Sequence, residues 1–449
     1  MDDLLPELHT NVSGKIRNTK LPKAKSLWPL FEAISNSIHA IQDKGNSNGK
    51  IQINIDRQGN DDLLAECENV EIYPITDFEI IDNGVGLDLK NFKSFLTAES
   101  EHKIDRGAKG IGRFVCLKAF KSLNFKSSFK NEDDQKNYIR EFVFKANDKG
   151  IFNHLVNESN NKHTGTSVTL TSFINDYQET CPRKLYDIGE KVIDHFLVYY
   201  LNKKAPRIEI VEKINGTKLE LNNLYNTSFK ASIKAREFEL YGYKFDVHLL
   251  RLFDVKKGHR IHYCGNDRVV KEEKLLKYIP DLGNSILEDG LNFTYQVYIT
   301  SAFLDGHVDN ERTDFDFPDF VEEGDLQQLV NDSPNLERIR QKAIECLEEI
   351  LVAYLTNVRQ TKYDSYSRHI IADAPQFKTL LKYKPNAVRT MNPNLTGNRL
   401  NIELFKVQTD LEIEIKELGE KVLNSNNLVD TDEYKALYDD YIEKFNDIG

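Results

Sequence analysis

The stretch Ile75-Thr-Asp-Phe-Glu-Ile-Ile-Asp-Asn-Gly-Val-Gly86 predicts a buried β-strand that ends abruptly at a turn. Its first half is rich in β-branched and aromatic residues, and Asp82-Asn83-Gly84 supplies residues that interrupt a strand. A carboxylate at the end of a strand can accept a hydrogen bond from the exocyclic amine of a purine. The two glycines would let the backbone approach a flat base closely. An ordinary Asn-Gly turn explains the same residues equally well.

A helix is predicted upstream of this strand, over residues 26–43. Its apolar residues recur at three- and four-residue spacing, with Ser26 as the expected N-cap and Gly45 just beyond the expected end. Glu32 and Asn36 lie four residues apart, which puts both side chains on one face. The carboxylate could polarise a water molecule, and the amide oxygen could ligate Mg²⁺. Taken alone, an exposed polar helix face is the better explanation of this pair.

A glycine-rich loop, Gly107-Ala-Lys-Gly-Ile-Gly112-Arg113, opens the next predicted helix. Glycines before a helix N-terminus leave N–H groups free to bind phosphate, and the helix dipole also favours anions there. The loop is not a Walker A motif, because Arg113-Phe114 stands where Lys-Ser/Thr is required, and it lacks the third glycine of a dinucleotide motif. Farther on, Thr164-Gly-Thr166 precedes another predicted strand and by itself indicates only a turn.

The order of these four motifs resembles the GHKL ATPase superfamily, which is named for gyrase, the heat-shock chaperone, histidine kinases and MutL. The shared pattern is a helical E-x-x-x-N, a D-x-G-x-G, a lid ending in G-x-G, and a G-T before a strand. The resemblance implies an α+β fold with a Bergerat-type ATPase domain, a mixed sheet covered by helices on one face, that binds ATP and Mg²⁺. It implies that Glu32 is the general base, that Asn36 ligates Mg²⁺, and that Asp82 binds the adenine amino group.

The resemblance also implies roles for the remaining site residues. Gly84 and Gly86 would line the base pocket, and Thr166 would support Asp82 and the base. The lid over the phosphates would be formed by Gly107, Lys109, Gly110, Ile111, Gly112 and Arg113, where the two cations could reach phosphate. Ser100 and Lys103 only loosely match the S-x-K of some family members and are given no role.

A second unit is predicted beyond the turn at Ile214-Asn-Gly216. His262-Tyr-Cys-Gly-Asn-Asp-Arg-Val-Val270 resembles the strand–turn–strand near the start of the S5-like transducer domain of MutL. The segment 305–317 resembles the part of MutL in which a lysine touches the γ-phosphate, and Arg312 stands at that place here. An arginine keeps the charge and can grip two phosphate oxygens. Arg312 is therefore expected to sense the γ-phosphate, with a surface ion pair as the alternative.

The segment around Arg312 departs from the MutL pattern at two positions. His307 and Asn310 replace the asparagine and the proline of that pattern, and the predicted lid is also unlike that of MutL. The combination is closer to MORC-like and bacterial GHKL relatives. The resemblance covers about residues 26–330 and concerns ATP, while it leaves the client of the protein open.

The predicted organisation is an N-terminal arm (1–25), an ATP-binding domain (26–215), a transducer domain (216–355) and a C-terminal region (356–449). The last transducer helix is expected to start at Ser333-Pro334, with Ser333 as N-cap. Residues 375–399 contain no acidic residue, and they could contact DNA phosphates or form a solvated linker. The cations of that segment are Lys378, Lys382, Lys384, Arg389 and Arg399. The helix-prone acidic tail could dimerise or bind a partner protein.

Composition excludes several other classes of protein. With 40% hydrophobic and 29% charged residues, the chain can bury a sizeable core. No stretch approaches the ~18 consecutive apolar residues that span a membrane, so we expect no membrane partner and a cytoplasmic location. The five cysteines form no C-x-x-C pair, which argues against a disulfide framework and a cysteine zinc site. They are Cys67, Cys116, Cys181, Cys264 and Cys346.

These features together predict an ATPase of the GHKL type. ATP binding is expected to close a homodimer, as in relatives whose N-terminal arm crosses to a second subunit, and residues 1–25 could do so here. A DNA-linked process such as repair or defence is the expected setting by analogy with MutL and MORC relatives. The alternative is a non-catalytic ATP-binding scaffold or a chaperone-like module that recruits a protein partner.

Overall fold

The computed structural model describes residues 12–45, 47–58, 70–97, 112–147, 150–253, 255–288, 290–309, 314–319, 333–425 and 431–448. The chain divides into two compact units. The first comprises Met1–Ile233, Tyr263–Lys271 and Thr300–Asp316, and the second comprises Lys234–His262, Glu272–Ile299 and Phe317–Gly449. Each unit contains both helices and strands, which confirms the mixed α+β class. The predicted boundaries after residues 25, 215 and 355 stay predictions.

The first unit contains a mixed sheet that has eight strands within the described residues. The strands are β1 (Lys50–Arg57), β2 (Ile75–Asp82), β3 (Phe120–Lys130), β4 (Asn137–Lys145), β5 (Ile151–Glu158), β6 (Gly165–Phe173), β7 (Arg207–Glu212) and β8 (Lys218–Glu220). Their order is β5-β4-β3-β6-β2-β1-β7-β8. Neighbours run antiparallel, except that β1 and β7 are parallel. The strands predicted from Ile75 and after Thr166 are confirmed.

Helices of the first unit precede, join or follow these strands. Within the described residues they are α1 (Val12–Asn18), α2 (Trp28–Asp43), α3 (Leu89–Leu96), α4 (Gly112–Ala119), α5 (Asn175–Gln178), α6 (Leu185–His195), α7 (Leu197–Leu201), α8 (Leu221–Leu224) and α9 (Ala302–Gly306). Short 3₁₀ turns lie at Lys23–Lys25, Val70–Ile72 and Lys230–Ser232, and a π-helical turn lies at Tyr225–Phe229. The helix predicted over 26–43 and the helix predicted after the glycine-rich loop are both confirmed.

The two faces of this sheet differ in polarity. Ile53 and Ile55 of β1 are fully buried on one face, and α2 packs against β1 and β2. On the alternate face, the side-chain amide of Gln52 donates to Asn54, and that of Asn54 donates to Glu79. Strand residues alternate between faces, so one face is covered by helices and the other carries a polar hydrogen-bonded network. The covered face fixes the position of α2.

Two local features of the first unit differ from the predictions. Ser26 is not the N-cap of α2, because the cap position is Leu27 and no side chain caps this end. Pro29 in the first turn has no N–H that needs a partner and has a backbone angle suited to a helix start. Residues 12–18 of the expected arm form α1, where Ile16 is buried and the Lys118 ammonium donates to the carbonyls of Ile16 and Arg17.

A second sheet has six strands within the described residues. They are β9 (Lys234–Leu240), β10 (Tyr243–Leu252), β11 (Arg260–Gly265), β12 (Arg268–Lys274), β13 (Ile286–Glu288) and β14 (Leu291–Thr300). Their order is β12-β11-β14-β10-β9, with β13 paired to β14. The strand–turn–strand predicted within 262–270 is confirmed as the end of β11, the turn at Asn266-Asp267 and the start of β12. Both turn residues have positive φ, as a two-residue hairpin turn requires.

Helices dominate the rest of the second unit. They are α10 (Leu336–Ile350), α11 (Val352–Ala372), α12 (Lys378–Tyr383), α13 (Pro385–Thr390), α14 (Gly397–Asn424) and α15 (Asp432–Ile448), with 3₁₀ turns at Val255–Lys257, Leu275–Lys277, Pro280–Leu282 and Pro375–Phe377. Ser333 does not cap α10. Asn335 does, because its side-chain oxygen accepts from the N–H of Arg338 at 2.8 Å.

The basic segment 375–399 is part of a packed helical region. Leu380 and Val388 are fully buried in a hydrophobic core shared by α11 to α14. Lys382 pairs with Glu443 and Asp447 of α15, at 2.8 and 2.7 Å. Lys384 pairs with Glu414 of α14 and Arg389 packs over the Tyr363 ring. Three of the five candidate DNA-contacting cations are thus engaged within the protein, while Lys378 and Arg399 are exposed.

A buried ion cluster ties α11 to the turn at Pro280–Leu282. Asp281 accepts from the Lys362 ammonium and, at 2.9 Å, from Arg359 Nε, and Lys362 also donates to the carbonyl of Met391. Asp281 and Lys362 are both buried, so each needs the other to offset the cost of leaving water. Among the described residues, no helix is both long and apolar enough to cross a membrane.

Candidate functional site

Asp82 is the last residue of β2, and its carboxylate is buried beneath α2. Oδ1 accepts from the backbone N–H groups of Gly84 at 2.8 Å and Thr166 at 3.3 Å, and Oδ2 accepts from the Ser37 hydroxyl at 3.0 Å. Burial raises the pKa of Asp82 to about 6, against the opposing effects of these donors and of Lys44. The carboxylate is therefore ionised at neutral pH, and three donors leave room for one more.

Thr166 is held in place by a second layer of hydroxyl groups. Its hydroxyl lies 2.9 Å from that of Ser127, which is fully buried on β3 and accepts from the N–H of Leu87 at 2.7 Å. The register of β3 and β6 places Ser127 directly opposite Thr166. Sequence reasoning missed both Ser37 and Ser127. The sequence did contain a signal for Ser37, because it is a polar residue directly after Asn36 that falls on the apolar side of the predicted helix.

Close packing explains the glycines of these motifs. A Cβ at Gly84 would lie 2.6 Å from the backbone of Ala40, and one at Gly165 would lie 2.2 Å from the carbonyl oxygen of Asp82. Gly86 has φ of +82°, and its Cβ would lie 2.2 Å from the carbonyl oxygen of Ser128. The fold itself therefore requires glycine at these positions. They keep the Asp82 turn close to α2 whether or not a base is bound.

Glu32 lies on α2, about 7.5 Å before Ser37 along the helix axis. Its carboxylate is partly buried against the start of α4, since a Cβ at Gly112 would lie 2.3 Å from Glu32 Oε2. A helix N-terminus favours a negative charge at this place. Burial raises the pKa of Glu32, while Arg268 and the Trp28 indole lower it. A raised pKa brings a carboxylate closer to the proton affinity that a general base needs.

Asn36 is exposed on α2, one turn after Glu32. Its amide oxygen is a hard ligand of the kind that Mg²⁺ prefers. Among the described residues, no group of three or more His, Cys, Asp and Glu side chains could hold a metal ion. The exposed position of Asn36 leaves this amide oxygen accessible to a metal ion.

Several predicted site residues fall outside the part of the chain that the structure describes. They are Ser100, Lys103, Gly107, Lys109, Gly110, Ile111 and Arg312. Arg113 is described, and its guanidinium donates to the carbonyl of Thr97 at 2.8 Å and packs over the rings of Phe95 and Phe114. Burial lowers the pKa of Arg113 to about 10. In this arrangement Arg113 holds the end of α3 against α4.

A cation without a predicted role lies beside Glu32. Arg268, the first residue of β12, donates from Nη2 to the Ser35 hydroxyl of α2 at 2.6 Å. Arg268 and α2 both belong to the first compact unit. Ser35 and Arg268 are 233 residues apart in sequence, so no local pattern could have joined them. Only the resemblance of residues 262–270 to a strand–turn–strand indicated the hairpin that carries Arg268.

Several of the described site residues lie on or against α2, while Gly86 packs against β3 and Arg113 contacts the end of α3. Helix α2 carries Glu32 and Asn36 and donates through Ser37 to Asp82, while Thr166 and Gly112 approach it from β6 and α4. No family model matches this sequence, and a search of the curated proteins found no match. The arrangement of these side chains is therefore the basis on which a function is proposed.

Replacing Asp82 by asparagine should stabilise the first unit at neutral pH. An asparagine can accept from Gly84 and Thr166 and donate to Ser37, but it carries no charge that must be buried. The pKa of Asp82 rises from 3.8 to about 6 on folding, so the ionised carboxylate lowers the free energy of unfolding. This cost is present in full above about pH 6. We expect Asp82→Asn to raise the free energy of unfolding by up to about 3 kcal/mol at about pH 7.5.

Urea unfolding followed by fluorescence measures this effect, because Trp28 of α2 is the one tryptophan of the chain. The gain should shrink as the pH falls from about 6 to about 3, because below the unfolded-state pKa of 3.8 wild-type Asp82 is protonated in both the folded and the unfolded state. Asp176→Asn is the control, since Asp176 pairs with Lys23 in an exposed position and should change stability by less than about 1 kcal/mol. An Asp82→Asn gain that is equal at both pH values would contradict the burial argument.

Proposed function

We propose that the first unit is a Bergerat-type, GHKL-like domain that binds ATP with Mg²⁺ and hydrolyses the nucleotide. The observation that carries this proposal is that α2 brings together two carboxylates with different surroundings, Glu32 on the helix itself and Asp82 beneath it. At one end, Ser37 donates to the buried Asp82. At the other, Glu32 abuts the start of α4, which follows the glycine-rich segment. Each of the four motifs thus has a residue that lies on α2, against it, or bonded to the Asp82 carboxylate beneath it.

Asp82 is suited to recognise adenine. Its carboxylate is ionised at neutral pH and retains capacity to accept one more hydrogen bond, which the exocyclic amine of adenine can donate. Guanine presents a carbonyl oxygen at the equivalent position, and two acceptors repel each other. Ser37 and Thr166 fix the orientation of the carboxylate. Adenine should therefore be preferred over guanine.

Glu32 is suited to activate water. In hydrolysis, the oxygen of a water molecule forms a bond to the γ-phosphorus, the bond from that phosphorus to the bridging oxygen breaks, and Glu32 takes the proton of the water. The products are ADP and phosphate. Asn36 would hold Mg²⁺, which supplies charge neutralisation for the phosphates when bound. Backbone N–H groups at the start of α4 favour anions next to Glu32.

Replacement of Glu32 by glutamine should separate binding from turnover. The amide keeps the shape of the side chain but cannot take a proton from water, so phosphate release should fall by at least about 100-fold. The affinity for ATP, measured by calorimetry, should stay within about threefold of wild type. Asp82→Ala should instead remove ATP binding.

Glu141→Gln is the matched control, because Glu141 lies on β4 in an exposed ion pair with Lys126. It should leave both phosphate release and affinity unchanged. Equal phosphate release in Glu32→Gln and wild type would remove the role of Glu32. Normal ATP binding without phosphate release in the wild type would favour the alternative, a non-catalytic ATP-binding scaffold.

The preference for ATP over GTP should depend on pH. Below pH 6 Asp82 becomes protonated, so it loses the acceptor that the adenine amine needs and gains a donor for the guanine carbonyl. The ratio of ATP affinity to GTP affinity should therefore fall by about tenfold or more between about pH 7 and pH 5. The two triphosphates titrate alike, so the ratio cancels that effect. A constant ratio would contradict the adenine role of Asp82.

Homodimer closure, a DNA-linked role and a protein partner for the tail are further parts of the proposal, supported by the resemblance to MutL-like and MORC-like proteins. We expect the protein mass in solution to double with a non-hydrolysable ATP analogue but not with ADP or without nucleotide, because only the triphosphate can recruit a γ-phosphate sensor such as Arg312. Light scattering with and without duplex DNA measures this. A monomer under every condition would contradict ATP-dependent homodimer closure without contradicting the proposed ATPase activity.

A further inference from the structure

Arg268 is a charged residue next to the catalytic end of α2. Its Nη2 donates to the Ser35 hydroxyl at 2.6 Å, and Ser35 is buried on α2. Ser35 and Glu32 lie three residues apart, so their side chains are neighbours on the helix surface. The guanidinium is therefore anchored to the same turn of helix that carries the Glu32 carboxylate.

The helix geometry shows from which side Arg268 approaches. With 3.6 residues per turn, Asn36 lies about 40° to one side of Glu32 and Ser35 about 60° to the other side. Arg268 is thus anchored on the flank away from Asn36, the residue proposed to hold Mg²⁺. A cation on that flank can act on Glu32 without occupying the metal side of the site.

The hairpin turn that carries Arg268 is held by contacts within the first unit. Asn266 and Asp267 have φ of +51° and +62°. The Asp267 carboxylate accepts from the Asn202 amide at 2.7 Å and from the Lys204 ammonium at 3.0 Å. The N–H of Asn266 donates to Asp305 at 2.6 Å. Arg268 follows a turn whose two residues are both anchored, so its position does not depend on a ligand.

Among the described residues, Arg268 is the charged group that lowers the pKa of Glu32. The titratable group that faces Glu32 from α4 is the Cys116 thiol, and burial raises its pKa, so the thiol stays neutral. Trp28, on α2 itself, contributes an uncharged N–H donor. Burial alone would favour a protonated Glu32, which cannot take a proton from water. An arginine stays charged when partly buried, so it can oppose that tendency.

We propose that Arg268 is a positioning residue that, anchored at Ser35, keeps the neighbouring Glu32 carboxylate anionic for the hydrolysis assigned to it. This inference rests on the proposed ATPase function and deepens it. Arg268 neither gives nor takes a proton in the reaction. The water proton goes to Glu32, and the charge of Arg268 favours the anionic carboxylate before the water attacks the γ-phosphorus.

The test in the full chain measures phosphate release across about pH 6 to 9 for wild type, Arg268→Gln and Arg268→Lys. Arg268→Gln should reduce kcat by at least about tenfold near pH 6.5. The reduction should be smaller near pH 8.5, because a higher pH favours the ionised Glu32 even without the arginine. KM for ATP should stay within about twofold of the wild-type value. Arg268→Lys keeps the charge and should recover most of the activity. A loss that is equal at every pH, or a lysine variant no better than glutamine, would overturn the proposal.

Lys271→Gln is the matched control. Lys271 lies on the same strand and pairs with Asp314 at 3.0 Å. Its replacement removes one cation from β12 without touching α2, so its pH profile should match that of wild type. A Lys271→Gln profile shifted like that of Arg268→Gln would show a general effect of charge and would overturn the specific role of Arg268.

A double-mutant cycle tests the pair without any activity. Unfolding midpoints without nucleotide, read from Trp28 fluorescence, are compared for wild type, Glu32→Gln, Arg268→Gln and the double variant. Arg268→Gln should lower the midpoint more in the background that keeps Glu32 than in the Glu32→Gln background. Only the former retains a partly buried carboxylate that has lost the nearby positive charge. Equal shifts would overturn the Arg268–Glu32 interaction by itself.

Two further outcomes complete the test. If Arg268→Gln does not fold, Ser35→Ala removes only the anchor of the guanidinium and should shift the acid side of the pH profile in the same direction by a smaller amount. An unchanged profile in Ser35→Ala would then overturn the proposal. A wild type that binds no ATP or releases no phosphate would overturn the proposed function, while the cycle would still report on the interaction between Arg268 and Glu32.

Discussion

The hydrogen bonds to the Asp82 carboxylate are the constraint on which the site depends. One buried anion draws donors from three parts of the chain: the turn after β2, the start of β6 and the middle of α2. A buried carboxylate without such donors would be costly, so the sheet and the helix must keep this spacing. The glycines at positions 84 and 165 allow the close approach. Once α2 is fixed at Ser37, the position of Glu32 one and a half turns earlier is also fixed.

The two carboxylates on and beneath α2 are stabilised in different ways. Neutral N–H and O–H donors surround Asp82, which suits a group that must keep accepting hydrogen bonds. Glu32 has an arginine on one flank and the start of α4 against it, so its charge is stabilised without use of all its acceptor positions. Burial raises the pKa of both groups. Under the proposed function, this difference in surroundings would let one helix serve both ends of a nucleotide.

Local patterns predicted the elements that carry the site, and they failed where packing decides. The apolar spacing from Leu27 to Ile41 was sufficient to predict α2, and the run that ends at Asp82 was sufficient to predict β2. Helix α1 was missed because it buries only Ile16 and has no apolar stripe. Ser26 and Ser333 are both good capping residues by type, yet Leu27 and Asn335 occupy the cap positions. The basic run of 375–399 suggested solvent, but its few apolar residues are the buried ones.

Short-range patterns predicted the periodic elements, the carboxylates at their ends and the glycines at their turns, because these depend on neighbours within a few residues. The support of the Asp82 cluster by Ser37 and Ser127, and the position of Arg268 next to the turn of α2 that carries Glu32, became visible only in the folded structure. Two of the three donors to Asp82 come from residues 45 and 84 positions away, and the contact of Arg268 with Ser35 spans 233 positions. Contacts at such separations follow from how sheets and helices pack, since burial of the apolar face brings these segments together and polar groups there must then find partners.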